Sequence, residues 1–225
     1  MLVRRCVSAA VLLTAFVLLT SFTTPAAAQK EKEKKKDGLD ETTSALMDVL
    51  KKAAEDKDFR RDRKHGGGTT PYDEAPAKPG LIVGFDLYPG VRDKTVQYVR
   101  GVRAVYLTSD GKTTLGKVYG WTSGIGAVRV KAKDGYAVAG CKIHTSGDEI
   151  DGMSIVFAKI TESGLDMKDS YDSKYYGHRD PDTAPKVVCT GEPIVGIRGL
   201  ISEKASSHHF GFGLVVVGKD PKKDK

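Results

Sequence analysis

The sequence predicts an all-β, pseudo-threefold domain of antiparallel strands, preceded by a short amphipathic helix. Three observations predict it. A head segment, Leu81-Ile82-Val83-Gly84-Phe85, returns as Tyr136-Ala137-Val138-Ala139-Gly140-Cys141 and as Pro193-Ile194-Val195-Gly196-Ile197. Its glycines fall at 84, 140 and 196, two equal intervals of 56 residues. A tail segment recurs as well: Tyr98–Tyr106, Glu149–Phe157 and His208–Val216, each with a glycine near its start. Head-to-tail glycine spacings are 17, 12 and 15, so the flanks persist while the stretch between them varies, as a repeated strand pair with a variable loop should read. Finally, the tail alternates with period two: Val102, Ala104 and Tyr106 share one face, Arg103 and Val105 the other. That pattern fits strands with one face in a core. A glycine at the same place in every head suggests a bulge or a close backbone approach.

Ahead of the repeats, residues 1–28 read as a signal peptide. Arg4 and Arg5 form a basic start, Ala9–Phe22 an apolar run, and Ala26-Ala27-Ala28 a small-residue cleavage site before Gln29. The apolar run is interrupted by Thr14, Thr20 and Ser21, and Pro25 follows it, so cleavage and export are expected with no integral membrane segment remaining. The expected destination is secreted, periplasmic or cell-envelope. Residues 29–39 are a mixed-charge segment expected to be disordered. A helix is expected over 40–63, with Leu46, Val49, Leu50 and Ala53 in one stripe and Asp40 or Thr42 as its cap. Such a stripe can dock on the domain or pair with another chain, so a homo-oligomer is one expectation. Residues 64–79, rich in Gly and Pro, read as a linker; 80–218 is the β domain and 219–225 a charged tail.

Within the β domain, Asp110-Gly111 marks a hairpin turn, and Tyr119-Gly120 in the first repeat is matched by Tyr176-Gly177 in the second. The third repeat, from near Val187 to Gly218, has the leading strand pair and lacks the trailing half. Three sheets of similar make, each facing inward, would bury one shared core. The basic balance of the chain, 36 Lys and Arg against 29 Asp and Glu, falls to 17 against 15 over Leu81–Gly218. No basic stripe with interleaved aromatics is present there, which argues against nucleic acid as a partner.

These units resemble the jacalin-related lectins. The resemblance rests on the Val-x-Gly-(Phe/Ile) heads, on Gly191–Gly199, and on the Ile150-Asp151-Gly152 step, and it covers roughly Lys78–Gly218. It implies a β-prism of three four-stranded Greek-key sheets. It also implies a sugar site built from a Gly-x-x-x-Asp loop together with backbone amides of a neighbouring glycine-rich loop. Gly147, Asp148, Glu149, Ile150 and Asp151 fit that spacing in the second repeat, with Asp151 as principal acceptor and Asp148 or Glu149 assisting. Charged carboxylates accepting sugar hydroxyls form short, strong hydrogen bonds. On this reading Asp151 is exposed, and Asp151→Asn abolishes binding without changing the melting temperature. Arg100 and Phe210 stand where that aspartate would fall in the other repeats, and Glu203 is a loose substitute in the third. The plainer reading of Asp148, Glu149 and Asp151 is an acidic, solvated hairpin loop.

Two cysteines follow the signal. An even pair in an exported chain suggests a disulfide between Cys141 and Cys189. Cys141, however, takes the place of Phe85 and Ile197, an apolar strand position where a buried free thiol sits well. His178 and His208-His209 lack further ligands at a metal spacing, so neither metal nor cofactor is expected. Ser123-Gly124-Ile125-Gly126 lacks the lysine of a phosphate loop, His178-Arg179-Asp180 lacks any kinase context, and no nucleophile elbow is present. The expected function is therefore a non-catalytic, carbohydrate-binding module whose partners are glycans or cell-surface polysaccharide. The alternative is an adhesive or structural envelope protein that uses the prism as a scaffold.

Overall fold

The computed structural model of the chain describes residues 38–75, 80–92, 95–122, 126–178, 181–188, 190–202 and 210–218. The expected signal peptide, most of the charged segment, Cys189, Glu203, His208-His209 and the charged tail lie outside the described residues. Among the described residues no helix is long and apolar enough to cross a membrane.

The chain enters through α1, Glu41–Glu55, capped by Asp40, whose carboxylate accepts from Thr43 N at 2.9 Å and from the Thr43 hydroxyl at 2.8 Å. Leu46, Met47, Leu50 and Ala53 are buried in the domain core, whereas Val49 is 38 % exposed. The expected stripe is thus turned so that Met47 replaces Val49. Burying Leu46 and Leu50 contributes about 1.5–3 kcal/mol each, so the helix is docked on the domain. It ends at Lys57, which takes φ +55°, while Asp58 N donates to Ala53 O at 2.9 Å and Lys57 N to Ala54 O at 3.3 Å. This two-bond closure reverses the chain and sends it into β1.

Strands β1 (Phe59–Arg61) and β2 (Thr70–Glu74) correct the sequence reading. They lie in stretches expected as the end of the helix and as a linker. Their sequences, Phe-Arg-Arg and Thr-Pro-Tyr-Asp-Glu, carry little apolar signal because both are edge strands, and Tyr72 is the only fully buried side chain of the two. Pro71 and the flanking charges suit an edge that must not recruit another strand.

The first sheet pairs β3 (Leu81–Arg92) with β4 (Thr95–Leu107), β5 (Thr113–Gly120) outside β4, and β6 (Val128–Lys131) outside β3. Three strands joined by successive hairpins, with a fourth returning beside the first, make a Greek key. The second sheet repeats it. Here β7 (Tyr136–Ser146) pairs with β8 (Glu149–Thr161), β9 (Gly164–Asp172) and β10 (Tyr176–Gly177) flank β8, and β11 (Lys186–Val188) flanks β7. In the third, β12 (Ile194–Ile201) pairs with β13 (Phe210–Val217), and the outer lanes are β1 against β13 and β2 against β12. The half missing from the third repeat is therefore supplied from upstream. Sheets one and two meet at a single pair, Val99 with Ile150.

All three sheets turn apolar faces onto one core. Phe85 of the first packs edge-on to Phe212 of the third at 5.6 Å between ring centres, and Phe157, Ile143, Ile150 and Met153 fill it from the second. Pairing registers shift between Ile82 and Gly84, Val138 and Gly140, and Ile194 and Gly196, so the three head glycines sit at equivalent bulges. A Cβ on Gly84 would overlap the carbonyl oxygen of Val130 in β6, and one on Gly196 that of Glu74 in β2. The outer lane approaches so closely that no side chain fits. Immediately after the bulge, Phe85, Cys141 and Ile197 all point into the core. Cys141 is a free thiol, 1 % exposed, and burial pushes its pKa up to about 12. Its cross-strand neighbour in β11 is Val187. Cys141 thus occupies the apolar strand position that suits a buried thiol, while Cys189, the other half of the expected bridge, lies outside the described residues.

Candidate functional site

The strand registers place the turns at two ends of the prism. Helix α1 leads into β1 at Val217, beside the ends of the tails, and the loops joining head to tail lie at the opposite end. At that loop end the three tails present equivalent steps: Arg100-Gly101, Asp151-Gly152 and Phe210-Gly211. In the first two sheets the tail glycine faces a glycine of the next strand, Gly101 opposite Gly120 and Gly152 opposite Gly177. The amide after that glycine donates back to the tail, Trp121 N to Arg100 O at 2.9 Å and His178 N to Asp151 O at 3.3 Å.

The third sheet departs from this pattern at Gly66-Gly67-Gly68, the connection between β1 and β2. Gly66 (φ +78°) closes on the carbonyl of Phe210, as the pattern requires. Gly67 then donates to the second repeat instead, to Asp148 O at 3.1 Å, and Phe210 N donates to the same oxygen at 3.2 Å. The Asp148 carboxylate lies directly over the Gly67 Cα, where any Cβ would overlap it, and Gly68 passes against the backbone of Ile201. Three consecutive glycines are needed because each packs on a different segment.

The β7–β8 turn itself has two residues, Gly147 at φ +60° and Asp148, between paired Ser146 and Glu149. Glycine first with positive φ is the requirement of a tight hairpin of this kind. Asp148 is exposed and Glu149 half-buried, while Ile150 is in the core. Asp151 corrects the sequence reading: it is 3 % exposed, inside β8 rather than on the loop. The outer lane carrying Tyr175 to His178 runs beside it, His178 N donating to the Asp151 carbonyl and Gly177 closing on that oxygen.

The structure thus brings together Gly147, Asp148 and Glu149 with Gly66–Gly68 and the start of β13. It separates Asp151 from solvent. The glycine triplet was missed as part of the site because it reads as linker composition; its signal was three glycines in a row, more than a linker needs. His65, ahead of the triplet, is held below the ordinary imidazole range by burial and by nearby Arg63, so it is neutral at pH 7. Among the described residues no group of three His, Cys, Asp or Glu side chains is placed to hold a metal ion. The arrangement offers one exposed carboxylate, Asp148, with two amides fixed on its own carbonyl. A carboxylate held in this way can accept hydroxyls.

Solved structures share this architecture. A mannose-binding lectin from champedak aligns with a TM-score of 0.50 at 12 % identity, over 70 % of this chain and 96 % of that one. A mannose-specific jacalin-related lectin from Morus nigra, in complex with mannose, aligns at 0.49 and 13 %, over 70 % and 94 %. Calystegia sepium agglutinin aligns at 0.47 and 14 %, over 72 % and 96 %. No protein-family model matches the chain, and neither does any curated protein. At these identities the likeness is one of fold: the chain carries a jacalin-like β-prism.

Proposed function

We propose that this jacalin-like β-prism is an exported, non-catalytic module that binds a neutral glycan at its loop end. The observation that carries the reading is the junction of Gly66–Gly68 with the Gly147–Asp148 turn, held by Asp148 O accepting from Gly67 N and Phe210 N. Sugar hydroxyls can donate to the Asp148 carboxylate at this junction, with Glu149 assisting. Asp151, buried, serves as a framework residue behind the turn. The champedak protein is a lectin that binds mannose, so a neutral hexose is the first ligand class to try. Export rests on the basic-apolar-small pattern of residues 1–28, and the non-catalytic reading on the lack, among the described residues, of an assembled acid, base and nucleophile at the loop end.

A glycan array on the mature chain tests this. Saturable binding to defined neutral sugars, lost about ten- to hundredfold in Asp148→Ala, is the expected result for removing a charged acceptor. Silence across the array supports the scaffold reading, which the burial of Asp151 favours. Protease mapping of the mature amino terminus checks export, with cleavage after Ala28 expected.

A further inference from the structure

We propose that the first repeat carries a second binding site, for a carboxylate-bearing sugar, built on Arg100 and Trp121. It occupies the position that Asp151 holds in the second repeat, and its charge is opposite. Trp121 N donates to Arg100 O at 2.9 Å, which holds the Trp121 backbone beside that of the arginine. The Arg100 guanidinium carbon lies 5.7 Å from the centre of the Tyr98 ring and 5.9 Å from that of Trp121. Tyr98 is buried, while Trp121 is 38 % exposed and is the single tryptophan of the chain.

Four other arginines of the domain are paired. Arg60, Arg61, Arg103 and Arg129 each bond a carboxylate. No described residue accepts from Arg100, whose Nε is buried without a hydrogen-bond partner. Arg198 also leaves its Nε unbonded, but no aromatic ring flanks its guanidinium among the described residues. As a purely structural device Arg100 is unfavourable. A cation–π contact contributes about 0.5–1 kcal/mol at such a site, whereas a buried donor left unbonded costs about 1–3 kcal/mol. A ligand anion on the outer fork of the guanidinium adds charge-assisted hydrogen bonds through the Nη groups, which offset that cost although Nε stays unbonded.

The chemistry of the ligand follows from the pair. A guanidinium binds carboxylate bidentately in its own plane. An exposed indole offers a flat apolar face for the C–H side of a pyranose ring. Together they select a sugar that carries a carboxylate, a uronate or a sialate, over a neutral sugar and over a bare anion. The site is independent of the neutral-glycan reading, and either can fail alone.

Because Trp121 is the only tryptophan, its emission reports this site and no other. The full mature chain is titrated with trigalacturonate against galactotriose, with 3′-sialyllactose against lactose, and with inorganic phosphate. The expected result is a saturable change in emission with at least one acid sugar, with at least tenfold weaker response to its neutral counterpart and to phosphate. Arg100→Gln should weaken that binding at least tenfold, and Arg100→Lys, which keeps the charge and loses the fork, by less. Equal responses to acid and neutral sugars overturn the proposal, as does an equal response to phosphate, no response to any acid sugar, or unchanged affinity in Arg100→Gln. The acid-neutral comparison on the unsubstituted protein decides the matter even where a variant folds poorly.

Discussion

Sheets one and two are each written by one continuous run of chain; sheet three is assembled from the two ends of the domain. In space the three are alike: a bulged head, a tail with a glycine step, one outer lane on each side. They differ in what closes them. The outer lanes of the first two sheets follow their own hairpins, but those of the third, β1 and β2, precede β12 by more than a hundred residues. The lesson is that a repeat can be complete as a structure and incomplete as a sequence. Closure of the third sheet also ties the prism to its amino-terminal segment, and through Gly67 ties that segment to the acidic turn of the second repeat.

The sharpest way to break the comparison is to remove residues 38–75. The chain would keep every contiguous repeat and lose α1, β1 and β2. Leu46, Met47, Leu50 and Tyr72 would leave the core, and β12 and β13 would expose both ladder edges. At about 1.5–3 kcal/mol per large apolar side chain, the loss rivals the entire stability of a domain. The truncated protein should lack a cooperative melt and near-ultraviolet dichroism. A sharp melt near the full-length temperature would show that the closing strands are ornaments.

A milder test asks whether the threefold symmetry holds in energy as well as in geometry. Gly84→Ala drives a Cβ into β6, and Gly196→Ala drives one into β2. Each should cost about 1–3 kcal/mol, the usual range for overpacking, measured by denaturant midpoint. If Gly196→Ala were neutral while Gly84→Ala was not, β2 would be only loosely held and the third sheet less well closed than the first.

The same contrast explains what could be read from the sequence. Heads and tails were legible because both strands of each central pair face the core and carry dense apolar runs, such as Ile194–Ile197 and Phe210–Val217. The bulge glycines were legible because close backbone approach allows nothing else. Edge strands were not: Arg60, Arg61, Asp73 and Glu74 make ion pairs or hydrogen bonds at the rim, so their pattern is that of a linker. The site was half legible. Gly147 and Asp148 turn where the spacing said, but Asp151 lies buried within β8, and Gly66–Gly68 reach the turn only through closure of a distant sheet. No local pattern encodes such contacts.

Titration separates the sheets again. Asp86, 1 % exposed on β3, bonds Arg129 in β6 at 2.7 and 2.9 Å and Arg103 in β4 at 3.0 Å. Hydrogen bonds from Arg129 hold its carboxyl below the usual range; burial opposes them, and Arg103 reinforces them. A depressed carboxylate contributes stability that is full above its unfolded pKa of about 3.9 and is lost as pH falls through the lower folded value. In alkali the signs reverse. Burial raises Cys141 and Tyr119 to about 12 each, and raises Tyr72 and Tyr106 as well. Their contributions are full below unfolded values of about 8.5 and 10 and decline as pH rises through the folded ones. Melting temperature should therefore fall on both flanks, and Asp86→Ala, expected to cost about 1–3 kcal/mol at neutral pH, should flatten the acid flank alone. An unchanged acid flank in that variant would assign the loss to other carboxylates.

The smallest effect on stability belongs to the loop end, where Asp151 and Asp148 lie three residues apart and should behave oppositely. Asp151 is buried in β8, so Asp151→Asn changes a charge inside the fold and should cost about 1–3 kcal/mol, contrary to what its place in the motif suggests. Asp148 is exposed; the bonds that anchor the turn run to its carbonyl, which Asp148→Ala retains. That variant should melt within about 0.5 kcal/mol of the parent, as exposed substitutions usually do, while losing glycan binding. The pair of melts and binding curves therefore distinguishes the framework carboxylate from the ligand-facing one. If Asp148→Ala binds as the parent does and Asp151→Asn, still folded, does not, the turn must open on binding to expose Asp151, and the acceptor named by the motif is the right one after all.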